Sequence, residues 1–103
     1  MIEEVKGEDI VLIDLREVTL IADYFVICTG TSDRQLKAIV ERINVDLKQT
    51  HGLLPLHVEG EAAHGWVLMD YSAVVVHVFS EVLRHYYDLE GLWREAKILL
   101  RIQ

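Results

Sequence analysis

Residues 24–52, YFVICTGTSDRQLKAIVERINVDLKQTHG, decide the fold. The second part of this stretch is a helix by several independent signals. Leu36, Ile39, Val40, Ile43 and Leu47 recur at the spacing of one amphipathic stripe. Ser32 stands where an N-cap belongs, with Gln35 three residues on as its capping-box partner. Asp33 precedes Lys37 by four residues in the favourable acid-first order. Lys48 and His51 suit the negative end of the helix dipole, and Gly52 follows as the helix stop. The first part, Tyr24 to Thr29, is an apolar run that ends at Gly30 and reads as a buried strand.

Upstream, Ile10 to Leu15 (IVLIDL) is a second such run, expected to be covered on both faces. Residues 1–8 read as a polar lead-in, and Arg16 to Thr19 as a connection. Downstream, Leu54 to Glu59 contains the single proline, and Pro55 sets that strand at or near an edge. Gly60 to Gly65 reads as loop. Trp66 to Tyr71 and Ala73 to Phe79 read as an antiparallel pair about Ser72. Ser80 caps a short helix through Tyr86, and Asp88 caps another with Leu89, Leu92, Trp93 and Ala96 on one face. The order β-β-α-β-β-β-α(α) predicts an α/β fold. Its mixed sheet has about five strands flanked by helices, and strand two, the helix and strand three form one crossover. One domain is expected over residues 1–103.

The chain is 51% apolar and 26% charged, an ordinary globular mixture with Val, Ile and Leu too abundant for disorder. No apolar run approaches the ~20 residues of a membrane span. Met1-Ile2-Glu3-Glu4 is not the basic start of a secretory signal, and no Arg-rich organellar leader is present, so a bacterial cytoplasm is expected. The lone Cys28, inside an apolar segment, fits a reducing compartment. A net charge of −7 argues against a general phosphate-backbone binder. An acidic domain can still work near nucleic acid when its immediate partner is a basic protein.

Catalytic and cofactor patterns are sparse. Thr29-Gly30-Thr31-Ser32 follows a strand and opens a helix, where backbone amides can receive an anion. It lacks the spacing of a P-loop or of a dinucleotide fingerprint, and a tight turn plus an N-cap accounts for every residue in it. Nucleotidyl transfer needs paired carboxylates on a strand to hold a metal; the nearest pair, Glu59 and Glu61, falls in the expected loop. His51, His57, His64, His77 and His85 show no zinc-ligand spacing, so neither metal nor cofactor is expected. Cys28 with His77 would make a nucleophilic dyad only if something oriented the pair, and a buried inert thiol explains Cys28 better. What remains is surface. Trp66, Leu68 and Asp70 share one face of their strand, and Val67, Met69 and Tyr71 the other. Aromatics and Met beside an acid are typical of protein interfaces and equally of a core.

Three segments resemble a known family. Ala22 to Gln35 (ADYFVICTGTSDRQ) is similar to the signature of the ribosomal silencing factors, also called Iojap-like. Gly65 to Tyr71 (GWVLMDY), running on through Val74 to Phe79, and Tyr86 to Trp93 extend the likeness from about Gly7 to Trp93. The resemblance implies a nucleotidyltransferase-like topology without the catalytic acids. It also implies a translational repressor rather than an enzyme. Members bind a large-subunit ribosomal protein, the fourteenth in bacterial naming, where the small subunit docks, and so block subunit joining. A homodimer is implied as well, while direct sequence-specific nucleic-acid binding and membrane association are not. On this reading Trp66, Leu68, Asp70 and Tyr71 are the contact residues, with Met69 and His77 as secondary ones. Asp23, Tyr24, Ser32 and Gln35 match the family motif as structural residues. Members usually begin with a further helix of which this chain has almost none, so a surface covered there is expected to be open here. The alternatives are a nucleotide-handling protein using the Gly30–Ser32 turn and a homodimeric scaffold for a non-ribosomal partner.

Overall fold

A computed structural model describes residues 7–102. The expected lead-in therefore lies outside the described residues for its first six positions, and Glu8 already opens a strand. Six strands form one sheet: β1 (Glu8–Asp14), β2 (Tyr24–Gly30), β3 (His57–Glu61), β4 (Trp66–Asp70), β5 (Val74–Ser80) and β6 (Lys97–Ile102). Their order is β3-β4-β5-β2-β1-β6, and β2 with β5 is the parallel pair in an otherwise antiparallel sheet. The mixed α/β architecture is as expected, with one strand more.

Helix α1 (Asp33–His51) begins and ends where its caps dictate. Ser32 Oγ accepts the Gln35 N–H, and the Gln35 side chain reaches back to the N–H and hydroxyl of Thr31. The reach lands one residue earlier than in the usual capping box. Gly52, at φ 64°, donates to the Lys48 carbonyl, the five-to-one bond of an αL stop, and the next amide, of Leu53, returns to Leu47. Leu36, Ile39 and Ile43 are buried against one face of the sheet, on Cys28, Val67, Met69, Val76 and Val78. Each contributes about 1.5–3 kcal/mol of apolar burial, enough to fix which side the helix covers.

The other face packs Val11, Ile13, Leu15, Phe25, Ile27, Val75 and Phe79 beneath α2 (Glu81–Tyr87), α3 (Leu89–Leu92) and Trp93. Strand β1 serves both faces by simple alternation, with Ile10 on the α1 side and Val11, Ile13 and Leu15 on the other. Near its start Asp9 takes φ 44°, and the register with β2 shifts between Glu8 and Val11, a bulge. The expected two-sided cover of this run is borne out.

Several expectations need correction. The parallel partner of β2 is β5, not the third strand, which travels to the far edge. The third strand is His57–Glu61, so Gly60 and Glu61 belong to a strand rather than to a loop. Gly60 has φ 86°, and a Cβ there would lie 2.1 Å from the Trp66 carbonyl oxygen; this glycine permits close pairing rather than ending it. The last helix is a single turn, and residues 97–102 form β6 along the otherwise open edge of β1.

Candidate functional site

The β3–β4 hairpin lies at one edge of the sheet. Its register sets Glu59 opposite Leu68, Glu61 opposite Trp66 and His57 opposite Asp70, so all six side chains share the face away from α1. Trp66 and Leu68 are half-buried there, while Glu59 and Glu61 are exposed. The result is an apolar strip rimmed by three carboxylates. Asp70 is tied at its base, accepting the Ser72 N–H at 2.8 Å, and His57 Nε2 stands 3.4 Å from Glu59 and 3.7 Å from Asp70.

Trp66 is held from below. Its ring stacks on Phe79, with centroids 4.9 Å apart, and leans on Tyr87 at 4.7 Å. Its Nε1–H donates to His77 Nδ1 at 3.3 Å. Burial pushes the His77 imidazole down to about 4, so the ring is neutral at physiological pH and Nδ1 is open as an acceptor.

The six residues singled out in the sequence therefore divide. Trp66, Leu68 and Asp70 come together as an accessible group. Tyr71 lies on the α1 side with its hydroxyl buried and without a hydrogen-bond partner among the described residues, and burial raises its pKa. Met69 is 1% exposed and His77 4% exposed, so neither reaches a partner directly: strand alternation turns Met69 to the α1 side, while His77 shares the face of Trp66 but is covered by Trp66, Phe25 and Phe79. Glu59, Glu61 and Tyr87 were not among the candidates. A hairpin register drawn across Ala62–Gly65 identifies the two acids, but Gly60 masks the strand that carries them.

Sites for chemistry are poorly supported. Cys28 and His77 point to opposite sheet faces, since Cys28 pairs with Val78 and His77 with Ile27. Burial pushes the Cys28 thiol up to about 12, which makes it inert. Glu59 and Glu61 do lie on a strand, contrary to expectation, but three strand spacings separate it from the Gly30 strand, about 14 Å. Among the described residues no group of His, Cys, Asp and Glu has metal-holding geometry. Beside the Thr29–Ser32 turn a cleft of about 760 Å³ is lined by five carboxylates (Glu8, Asp9, Glu81, Asp88, Glu90). Its arginine, Arg84, is already engaged by Glu90, Asp9 and Thr29, and such a lining repels phosphate. Among the described residues no helix is long and apolar enough to cross a membrane.

Fold and site together define an α/β domain with a mixed six-stranded sheet and an acid-rimmed aromatic strip at one edge. The family model described as ribosomal silencing factor during starvation matches residues 1–102, and the chain belongs to that family. It is similar to the Bacillus subtilis ribosomal silencing factor RsfS, with 42% identity over 96 residues, covering 93% of this chain and 80% of that one. A crystal structure of a Chromobacterium violaceum protein superposes with a TM-score of 0.84 at 39% identity, covering 89% of this chain and 76% of that one. One from Bacillus halodurans superposes with a TM-score of 0.76 at 37% identity, covering 89% and 85%.

Proposed function

We propose that this protein is a translational repressor that binds the large ribosomal subunit through a basic ribosomal protein, the fourteenth in bacterial naming, and excludes the small subunit by volume. Family membership supports a role at the ribosome. The observation that carries the finer reading is the half-exposed Trp66–Leu68 strip with Glu59, Glu61 and Asp70 on the same face. A Trp and a Leu on a rigid strand supply apolar anchoring. The carboxylates draw a basic protein from a distance while rRNA phosphates are repelled, so orientation precedes contact. Blocking then needs neither chemistry nor cofactor, only a rigid body on the joining surface. Trp66, Leu68 and Asp70 are the contact residues, and Met69 and His77 support them from inside the sheet.

This activity belongs in the bacterial cytoplasm and involves no direct reading of nucleic-acid sequence. A homodimer is part of the reading, and sedimentation equilibrium at micromolar concentration tests it. The function is tested by light scattering of purified subunits joining in the presence of the protein. Wild type is expected to lower the joined fraction and Trp66→Ala to leave it unchanged. Joining that proceeds normally beside excess folded wild type defeats the proposal.

A further inference from the structure

His77 is 4% exposed, on the sheet face that carries the contact strip. Its ring stands edge-on to Phe25, with centroids 4.6 Å apart, and lies 8° from parallel to Phe79. Phenylalanine is shaped for the same slot and carries no polar atom. Histidine is costly here, because its Nε2 is buried with no hydrogen-bond partner among the described residues. What histidine adds lies at its other nitrogen. Indole N–H can only donate, so at 3.3 Å Nδ1 is the acceptor and the ring proton sits on Nε2. The low pKa of the buried imidazole keeps that lone pair available at neutral pH.

Trp66 needs such a restraint. Stacked on Phe79 and Tyr87, a half-buried indole is free to slide and turn in its own plane. A hydrogen bond at one edge fixes which edge faces the sheet and which faces outward.

We infer that His77 is a positioning residue for the partner contact of Trp66, holding the indole in its binding orientation through the Nε1–H to Nδ1 hydrogen bond. This rests on the reading of the Trp66–Leu68 strip as the ribosome-facing surface. Without the acceptor, the indole N–H is left unpaired or the ring rotates to find water, and in either case the anchor must be reordered on binding.

The test uses His77→Phe, which keeps a ring and removes the acceptor, and His77→Asn, which returns an oxygen near the Nδ1 position. Trp66→Phe removes the donor. Two quantities are read: affinity for isolated large ribosomal subunits, and the indole N–H resonance of Trp66 with its solvent exchange. His77→Phe is expected to weaken binding about tenfold, with the resonance moved upfield and exchange accelerated. His77→Asn should recover part of both. In the Trp66→Phe background His77→Phe should add nothing further, a coupling that a merely structural role for His77 does not produce. Full-strength binding by His77→Phe, or an unmoved indole resonance, overturns the inference while leaving the ribosomal reading intact. Should His77→Phe not fold, Trp66→Phe decides: undiminished binding by it equally overturns the inference. Failure of wild type to bind large subunits removes the ribosomal reading and the positioning role together.

Discussion

Arg84→Met is expected to destabilise this protein far more than an ordinary surface charge would. Arg84 is 8% exposed where β1 and β2 meet α2 and α3. Its Nε and Nη2 lie 3.1 and 3.2 Å from the two carboxylate oxygens of Glu90. Nη1 donates to Thr29 Oγ1 at 2.9 Å and to the Asp9 carbonyl, and the Asp9 carboxylate stands 3.4 Å from Nη2. Methionine keeps the stem and deletes the fork. An exposed pair contributes about 0–1 kcal/mol, whereas breaking a buried one from one side costs about 3–5 kcal/mol. The lower end applies here, because the Asp9 side chain is 41% exposed and Arg101 remains 2.9 Å from Asp9 and 3.2 Å from Glu90. A loss of about 3 kcal/mol corresponds to a fall in Tm of roughly 15 °C for a domain of this size.

The pH dependence of that loss has a definite sign. Burial pushes the Glu90 carboxyl up, but the hydrogen bonds and charge of Arg84, joined by those of Arg101, outweigh it and hold the pKa below the ordinary value. Such a carboxylate contributes stability above its unfolded pKa and loses it as pH falls through the folded one. Arg84→Met removes the larger part of the lowering, so its deficit should be greatest at neutral pH and should shrink in acid. Urea unfolding followed by circular dichroism at both conditions measures this. A deficit under about 1 kcal/mol at neutral pH, or one that acid leaves unchanged, refutes the account of a buried clamp.

Three further outcomes follow from the packing. Cys28, its thiol pushed up to about 12 by burial, should resist disulfide-exchange reagents in the native protein and react only at the rate of unfolding; fast stoichiometric labelling contradicts this. Gly60→Ala sets a Cβ against the Trp66 carbonyl at φ 86° and should cost more than about 2 kcal/mol, seen as a lower Tm together with weaker large-subunit binding. His77, lowered by burial from 6.5 to about 4, leaves the unfolded chain binding the extra proton between those values. Stability from this group is therefore complete above the higher value and falls by about 3 kcal/mol as pH drops to the lower one. Wild type should lose stability relative to His77→Phe as pH falls through that window, and parallel curves refute the assignment.

What the sequence reveals about this fold follows from how local each signal is. Helix α1 is marked by its own residues, a stripe with a cap at each end, and the structure reproduces it from Asp33 to His51. The β4–β5 pairing across Tyr71–Ala73 is equally local. Strand order is not, because β2 finds its parallel partner only after α1, β3 and β4 have intervened. Strand β6 escapes for a related reason. Lys97 to Ile102 has no alternation of polar and apolar residues, and what makes it a strand is the unpaired edge of β1. The candidate site is half legible. Alternation along β4 correctly groups Trp66, Leu68 and Asp70, and the same alternation turns Met69 inward. The acids that rim the strip, Glu59 and Glu61, join it only through the register of β3.

The central claim is that the Trp66–Leu68–Asp70 face binds the large ribosomal subunit. Co-sedimentation of the purified protein with isolated large subunits tests it most directly. Wild type is compared with Asp70→Arg and with Glu41→Arg, which makes the same change of charge on the exposed side of α1. All three are first shown to be folded by circular dichroism. Wild type and Glu41→Arg should pellet with the subunits while Asp70→Arg stays in the supernatant. Equal pelleting of all three would contradict the assigned face, and no pelleting by wild type would contradict the function itself.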